Sequence, residues 1–276
     1  MNKIIAKKRI SDEVVKFEIR TSIAINEIRI GHYVILQDEK GEHEISVPVV
    51  KTDPEKETIT VIVHSANDAA KHFAELNPGN EIVGIEGPFG YPAQIENFGN
   101  VLCIGREQGI VPLLPVLTSL HAAGNRIITI LSSPTKEGII LENEIKAISD
   151  EVITLTDDGS YGEKGSVCQV MTQTMRTNIM NQVIAFGPAT TIQITCAHTI
   201  KYNIPTQAIL YLKNAGKNTG HGIFKVSICG STRVVCVDGY NFNAYYPNFG
   251  EMIKRFGHEE EIPYKINACN EINIPL

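Results

Sequence analysis

The feature that most constrains the fold is a change of hydrophobic rhythm near Asn97. Before it, short apolar or alternating runs follow one another: Val14 to Ile19, Tyr33 to Leu36, Glu44 to Val50, Thr58 to His64 and Glu81 to Glu86. Turn signals separate them, at Asp38-Glu39-Lys40-Gly41 and Asp53-Pro54-Glu55-Lys56, and a Gly87-Pro88-Phe89-Gly90 turn closes the series. Only Asp68 to Leu76 reads as a helix, with Asp68 as its N-cap. Closely spaced strands of this kind predict a small barrel or sandwich. After Asn97 the rhythm alternates. Strands Val101 to Gly105, Arg126 to Leu131, Glu151 to Leu155, Gln182 to Phe186 and Gln207 to Leu212 are interleaved with helical segments. Those segments are Pro112 to Ala123, Leu141 to Ile148, Val167 to Met175 and Thr191 to Ile200. Such alternation predicts a five-stranded parallel sheet covered by helices.

The last sixty or so residues follow neither pattern. Phe224 to Ile228 and Arg233 to Val237 read as a hairpin around Cys229-Gly230-Ser231-Thr232, and an aromatic stretch from Tyr240 to Phe249 follows. The expected organisation is therefore a barrel over 1–97, an α/β unit over 98–213 and a small β-rich C-terminal lobe over 214–276.

Charge and cysteine content narrow the chemistry. The 276 residues carry a formal net charge of -6, which gives no global attraction to nucleic acid or anionic lipid. No apolar run approaches the roughly 20 residues needed to cross a bilayer, and the N-terminus lacks a signal-type apolar run. The 6 cysteines are scattered without a C-x-x-C pair, which predicts reduced thiols and a cytoplasmic setting.

Five stretches carry a resemblance. They are Gly31-His32-Tyr33-Val34-Ile35-Leu36, Gly87-Pro88-Phe89-Gly90, Gly105-Arg106-Glu107-Gln108-Gly109-Ile110-Val111-Pro112, Thr156-Asp157-Asp158-Gly159-Ser160-Tyr161-Gly162-Glu163-Lys164-Gly165 and Cys236-Val237-Asp238-Gly239. In this order they resemble the ferredoxin–NADP reductase-like superfamily over nearly the whole chain up to Phe249. The likeness is strongest to the electron-transfer subunits of dihydroorotate dehydrogenase and to the alpha subunit of NADH-dependent ferredoxin–NADP oxidoreductase. The resemblance implies an oxidoreductase electron-transfer subunit working with a larger protein partner. It also implies a six-stranded antiparallel flavin-reductase-type barrel that binds FAD, NAD(P) on the parallel sheet and a [2Fe-2S] cluster in the C-terminal lobe. A non-catalytic scaffold or regulatory subunit derived from such a reductase is the alternative, because the chain departs from the pattern at all three positions.

For FAD, the family places Arg and then Ser or Thr on a barrel strand. One register puts His43 and Ser46 there; a register shifted by one puts Glu44 and Pro48 there. His43 is mostly neutral at pH 7 and cannot fork to a pyrophosphate as Arg does. At the family's second phosphate element this chain has Ala66-Asn67-Asp68, with Asn67 the remaining donor and Asp68 opposing an anion.

For NAD(P), Gly105 and Gly109 remain in the loop after the first parallel strand, with Arg106 between them as a phosphate ligand and Glu107 opposing it. Thr156, Asp157, Asp158, Gly187 and Pro188 fall at other strand ends, where open α/β sheets bind ligands. Ordinary turn chemistry accounts for the glycine pair and for Asp-Asp-Gly-Ser equally well. For the cluster, Cys236 matches one ligand and His221 a second, but Phe224 takes a third position. A [2Fe-2S] cluster needs four ligands, so none is expected.

Overall fold

The computed structural model describes residues 2–38, 42–65, 67–89, 92–211 and 223–228. Its first sheet contains β1 (Asn2–Arg9), β2 (Val14–Arg20), β3 (Tyr33–Gln37), β4 (Glu44–Asp53), β5 (Thr58–His64), β6 (Glu81–Ile82) and β7 (Gly84–Phe89). Their order is β6-β1-β2-β5-β4-β3-β7, with antiparallel pairing throughout. The end strands β6 and β7 are separated in the chain by Val83 alone, so the sheet must curl until its two edges approach. The expected barrel is thus present, with seven strands rather than six. Beyond the five runs named above, β1 is added, its Lys-rich sequence and bulge between Ile4 and Ala6 breaking the alternation that marks a strand, and Glu81 to Glu86 divides at Val83 into β6 and β7. The Gly87–Phe89 segment, read as a turn, instead continues β7, and Phe89 pairs with Tyr33.

Alternation along β2 shows how the sheet divides its two faces. Val15, Phe17 and Ile19 enter the barrel core with Val34, Leu36, Val47, Val61 and Val63, and α1 (Asp68–Glu75) closes it through Phe73. Val14 and Ile62 lie on the opposite face and join a second core formed with the parallel sheet. The N-cap of α1 is Asn67, not Asp68: its Oδ1 accepts from the Ala70 N–H at 2.8 Å. A neutral amide therefore satisfies the helix end, and Asp68 occupies the first helical position facing water.

The second sheet is built from β8 (Asn100–Arg106), β9 (Arg126–Ser133), β10 (Glu151–Thr156), β11 (Glu163–Lys164), β12 (Gln182–Gly187), β13 (Thr206–Tyr211) and β14 (Ile223–Ile228). Its order is β11-β10-β9-β8-β12-β13-β14. The five expected parallel strands form the centre. Short β11 adds a parallel edge, and β14 pairs antiparallel with β13. Residues 224–228, read as half of a C-terminal hairpin, therefore extend this sheet; Arg233 to Val237 lies outside the described residues. Helices α2 (Ile110–Ala122) and α3 (Glu142–Lys146) contribute to the core shared with the barrel. Helices α4 (Val167–Thr177) and α5 (Ala189–Lys201) cover the other face, where Leu102, Ile104, Ile128 and Ile130 meet Met171, Ile192 and Cys196.

Buried Asn125 ties the segment between the sheets to α2. Its Oδ1 accepts from the Phe98 and Gly99 N–H groups, and its Nδ2 donates to the Glu96 and Leu120 carbonyls at 2.8 and 2.9 Å. Asn125→Ala is expected to cost about 2 kcal/mol, since each lost bond contributes roughly 0.5–1.5 kcal/mol and backbone groups are left unpaired. Urea denaturation of the variant measures this.

Between α4 and α5, buried His198 places Nε2 at 3.1 Å from the Cys168 Sγ and Nδ1 at 3.1 Å from the Thr172 Oγ1. Burial, and secondarily the Lys201 charge, lower its pKa. Below the ordinary histidine pKa of about 6.5, the unfolded chain takes up a proton that the folded chain resists. Stability should therefore fall as pH drops below that value, and His198→Gln should flatten this part of a melting-temperature profile. Cys103, Cys168 and Cys196 are buried, and no helix among the described residues is long and apolar enough to cross a membrane.

Candidate nucleotide site at the carboxyl edge of the parallel sheet

Parallel register gathers the strand ends onto one edge. Arg106 of β8 lies opposite Ser132 of β9, Thr156 of β10 opposite Ser133, and Phe186 of β12 opposite Gly105. Candidates far apart in sequence thus become neighbours. A Cβ at Gly187 would come within 3.3 Å of the Arg106 Cβ, and one at Gly109 would lie 2.4 Å from the Phe186 carbonyl oxygen. Gly109 is therefore required by the close approach of the β8–α2 and β12–α5 turns. The left-handed backbone in this loop falls instead on Glu107, at φ 53°. Pro188 alone separates the carboxyl end of β12 from α5, so this helix N-terminus also lies at the edge.

Arg106 occupies the centre. Its Nη1 and Nη2 donate to the two Asp157 carboxylate oxygens at 3.1 and 2.7 Å, and Nη1 also reaches the Ser132 Oγ at 2.7 Å. Its Nε lies 3.4 Å from a Glu107 oxygen. The side chains of Arg106 and Asp157 are only 15% and 17% exposed, so the fork is held in partly desolvated surroundings where charge-assisted bonds are strong. Two sequence candidates thus bind each other, and the cation expected to meet phosphate is balanced by two carboxylates.

Thr156 and Asp158 hold the neighbouring loop in shape. The Thr156 Oγ1 donates to the Tyr161 carbonyl and accepts the Tyr161 N–H, while Asp158 accepts from the Ser160 N–H and hydroxyl. Those Ser160 bonds lower the Asp158 pKa. Gly162, at φ 63°, closes the loop against the Thr154 carbonyl. Tyr161 donates its hydroxyl to Glu142 at 2.8 Å, and Lys136 lies 5.6 Å from the centre of its ring. Sequence reading missed Ser132, Glu142 and Lys136, because only the register and the crossover connections bring them to this loop.

The barrel candidates lie on the other sheet. Ser46 sits on β4 opposite Ile35, and Asn67 is engaged in capping α1. His43 places Nδ1 at 2.7 Å from the Asp38 Oδ2, and its ring stacks on His72 with centroids 4.5 Å apart. The hydrogen bond from His43 holds the Asp38 carboxyl at about pKa 2. In the shifted register, Glu44 accepts from the Gln37 Nε2 at 3.1 Å. Neither register supplies a guanidinium, and both place a carboxylate beside the position. This corner does not fit a pyrophosphate. His221, Cys236 and the Tyr240 to Phe249 stretch lie outside the described residues.

No family model matches the chain. Over 269 residues it is 32% identical to the dihydroorotate dehydrogenase B (NAD(+)), electron transfer subunit homolog of Thermotoga maritima, covering 96% of this chain and 95% of that one. The probable dihydroorotate dehydrogenase B (NAD(+)), electron transfer subunit of Methanopyrus kandleri is 27% identical over 168 residues, 60% of this chain and 62% of the relative. Among solved structures, an NADH-dependent reduced ferredoxin-NADP oxidoreductase studied for flavin-based electron bifurcation matches with a TM-score of 0.73. It is 28% identical, and the match covers 94% of each chain.

Proposed function

Because the chain belongs to the family of dihydroorotate dehydrogenase B electron-transfer subunits and their homologues, we propose that it is an electron-transfer subunit of the flavin/NAD(P)H reductase type. It works against a larger oxidoreductase subunit and binds a nicotinamide dinucleotide at the carboxyl edge of the parallel sheet. The observation that carries this reading is the convergence of Arg106, Asp157, Gly109 and the Gly187–Pro188 turn on that edge. Arg106 would meet a phosphate of the dinucleotide after exchanging its bonds to Asp157. The N-terminus of α5 would add backbone donors and a favourable dipole. Gly109 and Gly187 would let the backbone approach the ligand. When bound, the dinucleotide supplies hydride chemistry; the chain's own residues orient it. The proposed organisation keeps units at 1–97, 98–213 and 214–276, with the third lending β14 to the sheet of the second.

Calorimetric titration with NADH and NADPH tests this reading. Wild type should bind one of them, and Arg106→Ala should weaken binding about 10-fold or more, the loss of one charge-assisted bond to phosphate. Unchanged affinity would remove the sheet edge from consideration. The corner near His43 favours a second reading, in which the chain is a partner-binding scaffold or regulatory subunit that carries no electrons. The visible spectrum separates the two. A yellow protein bleached by NADH or NADPH excludes the scaffold, whereas a colourless protein that takes up no flavin excludes the reductase. The cytoplasm is the proposed setting, with neither nucleic acid nor a membrane as partner.

A further inference from the structure

We propose that Asp38, His43 and His72 form a binding site for one divalent transition-metal ion of the zinc class. Asp38 directly follows β3, His43 directly precedes β4 and His72 lies on α1, and one ligand atom from each lies within 4.8 Å of the others. Separate backbone constraints set their positions. The Asp38 N–H donates to the His43 carbonyl at 3.2 Å, and the Glu42 N–H donates to the Asp38 Oδ1 at 2.9 Å. These bonds leave Oδ2 directed at His43. His72 is fixed by its neighbour Phe73, which is buried in the barrel core.

The chemistry selects the class of ion. The His43 Nδ1 and the Asp38 Oδ2 share one proton across 2.7 Å, and an ion that displaces this proton takes both atoms as ligands. His72 brings a second imidazole nitrogen within 4.8 Å of the other ligand atoms; its ring stacks on that of His43 and must turn out of the stack to bind, because the lone pair lies in the ring plane. Two imidazoles and one carboxylate suit zinc, cobalt or nickel rather than the all-oxygen shells of magnesium and calcium. The corner that is wrong for a pyrophosphate is therefore suitable for a cation. The inference uses no residue of the sheet edge, so it does not depend on the nucleotide reading.

The test uses the full, untagged chain stripped with EDTA and titrated with Co²⁺ by visible absorbance, followed by displacement with Zn²⁺. One Co²⁺ per chain is expected, displaced by Zn²⁺. His72→Ala, His43→Ala and Asp38→Asn should each weaken uptake about 10- to 100-fold, with metal-free melting temperatures close to wild type. His72→Gln, which keeps the helix intact, gives the same reading if an alanine variant fails to fold. The proposal is overturned by an absence of saturable uptake or by uptake that survives both histidine replacements. Uptake that survives His72→Ala but is lost in Cys236→Ala overturns it equally.

Discussion

Gly109→Ala is expected to lower the melting temperature by about 6–12 °C, following from a cost of about 3 kcal/mol at roughly 2–4 °C per kcal/mol for a chain of this size. The new Cβ would lie 2.4 Å from the Phe186 carbonyl oxygen, 2.5 Å from its carbon and 2.8 Å from the Gly187 nitrogen. All three are backbone atoms of a buried central strand and the turn that leaves it, so no side-chain rotation relieves the overlap. Relief requires parting β8 from β12 or shifting the start of α2, and both elements are packed on two sides. Gly165→Ala is the matched control. Its Cβ would meet only the end of the Gln169 side chain at 3.5 Å, and its melting temperature should stay near that of wild type. Differential scanning calorimetry of the pair decides the matter. Equal melting temperatures would show that the two turns separate freely.

Asp157→Asn is expected to tighten NADH or NADPH binding about 10-fold while costing about 1–2 kcal/mol of stability. In the native chain a phosphate competes for Arg106 with a two-pronged carboxylate at 3.1 and 2.7 Å. A charge-assisted bond contributes about 1.5–3 kcal/mol, so surrendering the fork costs much of what the phosphate contact returns. Asparagine keeps the shape of aspartate but offers one neutral acceptor, and Arg106 exchanges partners at lower cost. The stability loss stays small because asparagine still accepts one guanidinium bond, and Ser132 and Glu107 remain beside Arg106. Calorimetric titration and urea denaturation of the same variant read both quantities. Weaker binding in Asp157→Asn would mean that Asp157 contacts the nucleotide directly and does not hold Arg106 back from it.

Much of the fold is legible in the order of residues. β2, β5 and β8 to β10 are alternating or continuous apolar runs, and the helices between the parallel strands are bounded by Pro, Gly and Ser signals such as the Ser166–Gln169 capping box. β1 is not legible, because Ile4 is buried while adjacent Ile5 is exposed, and the bulge after Ile4 disrupts the alternation. The membership of β14 is not legible either: a short strand carries no mark of which neighbour it will pair with. At α1 two adjacent good capping residues, Asn67 and Asp68, cannot be ranked locally. The backbone decides for Asn67, which is extended at φ -145° and ψ 172° as an N-cap must be.

The sites divide in the same way. Residue identity alone determined that no arginine stands at His43 or Glu44, that Gly105 and Gly109 flank a charged loop, and that the strand ends carry polar residues. Charge type and glycine placement are local properties of the chain. Pairing is not, since it depends on distance. Arg106 and Asp157 lie 51 positions apart and meet only because parallel strands β8 to β10 present their carboxyl ends together. His43 and His72 come together only because α1 packs against β4 and β5 and adds Phe73 to the barrel core. Sequence therefore determined which groups this protein possesses. Tertiary structure decided which of them neutralise each other, leaving the expected phosphate ligand bonded to a carboxylate and the expected phosphate corner furnished with donors for a cation.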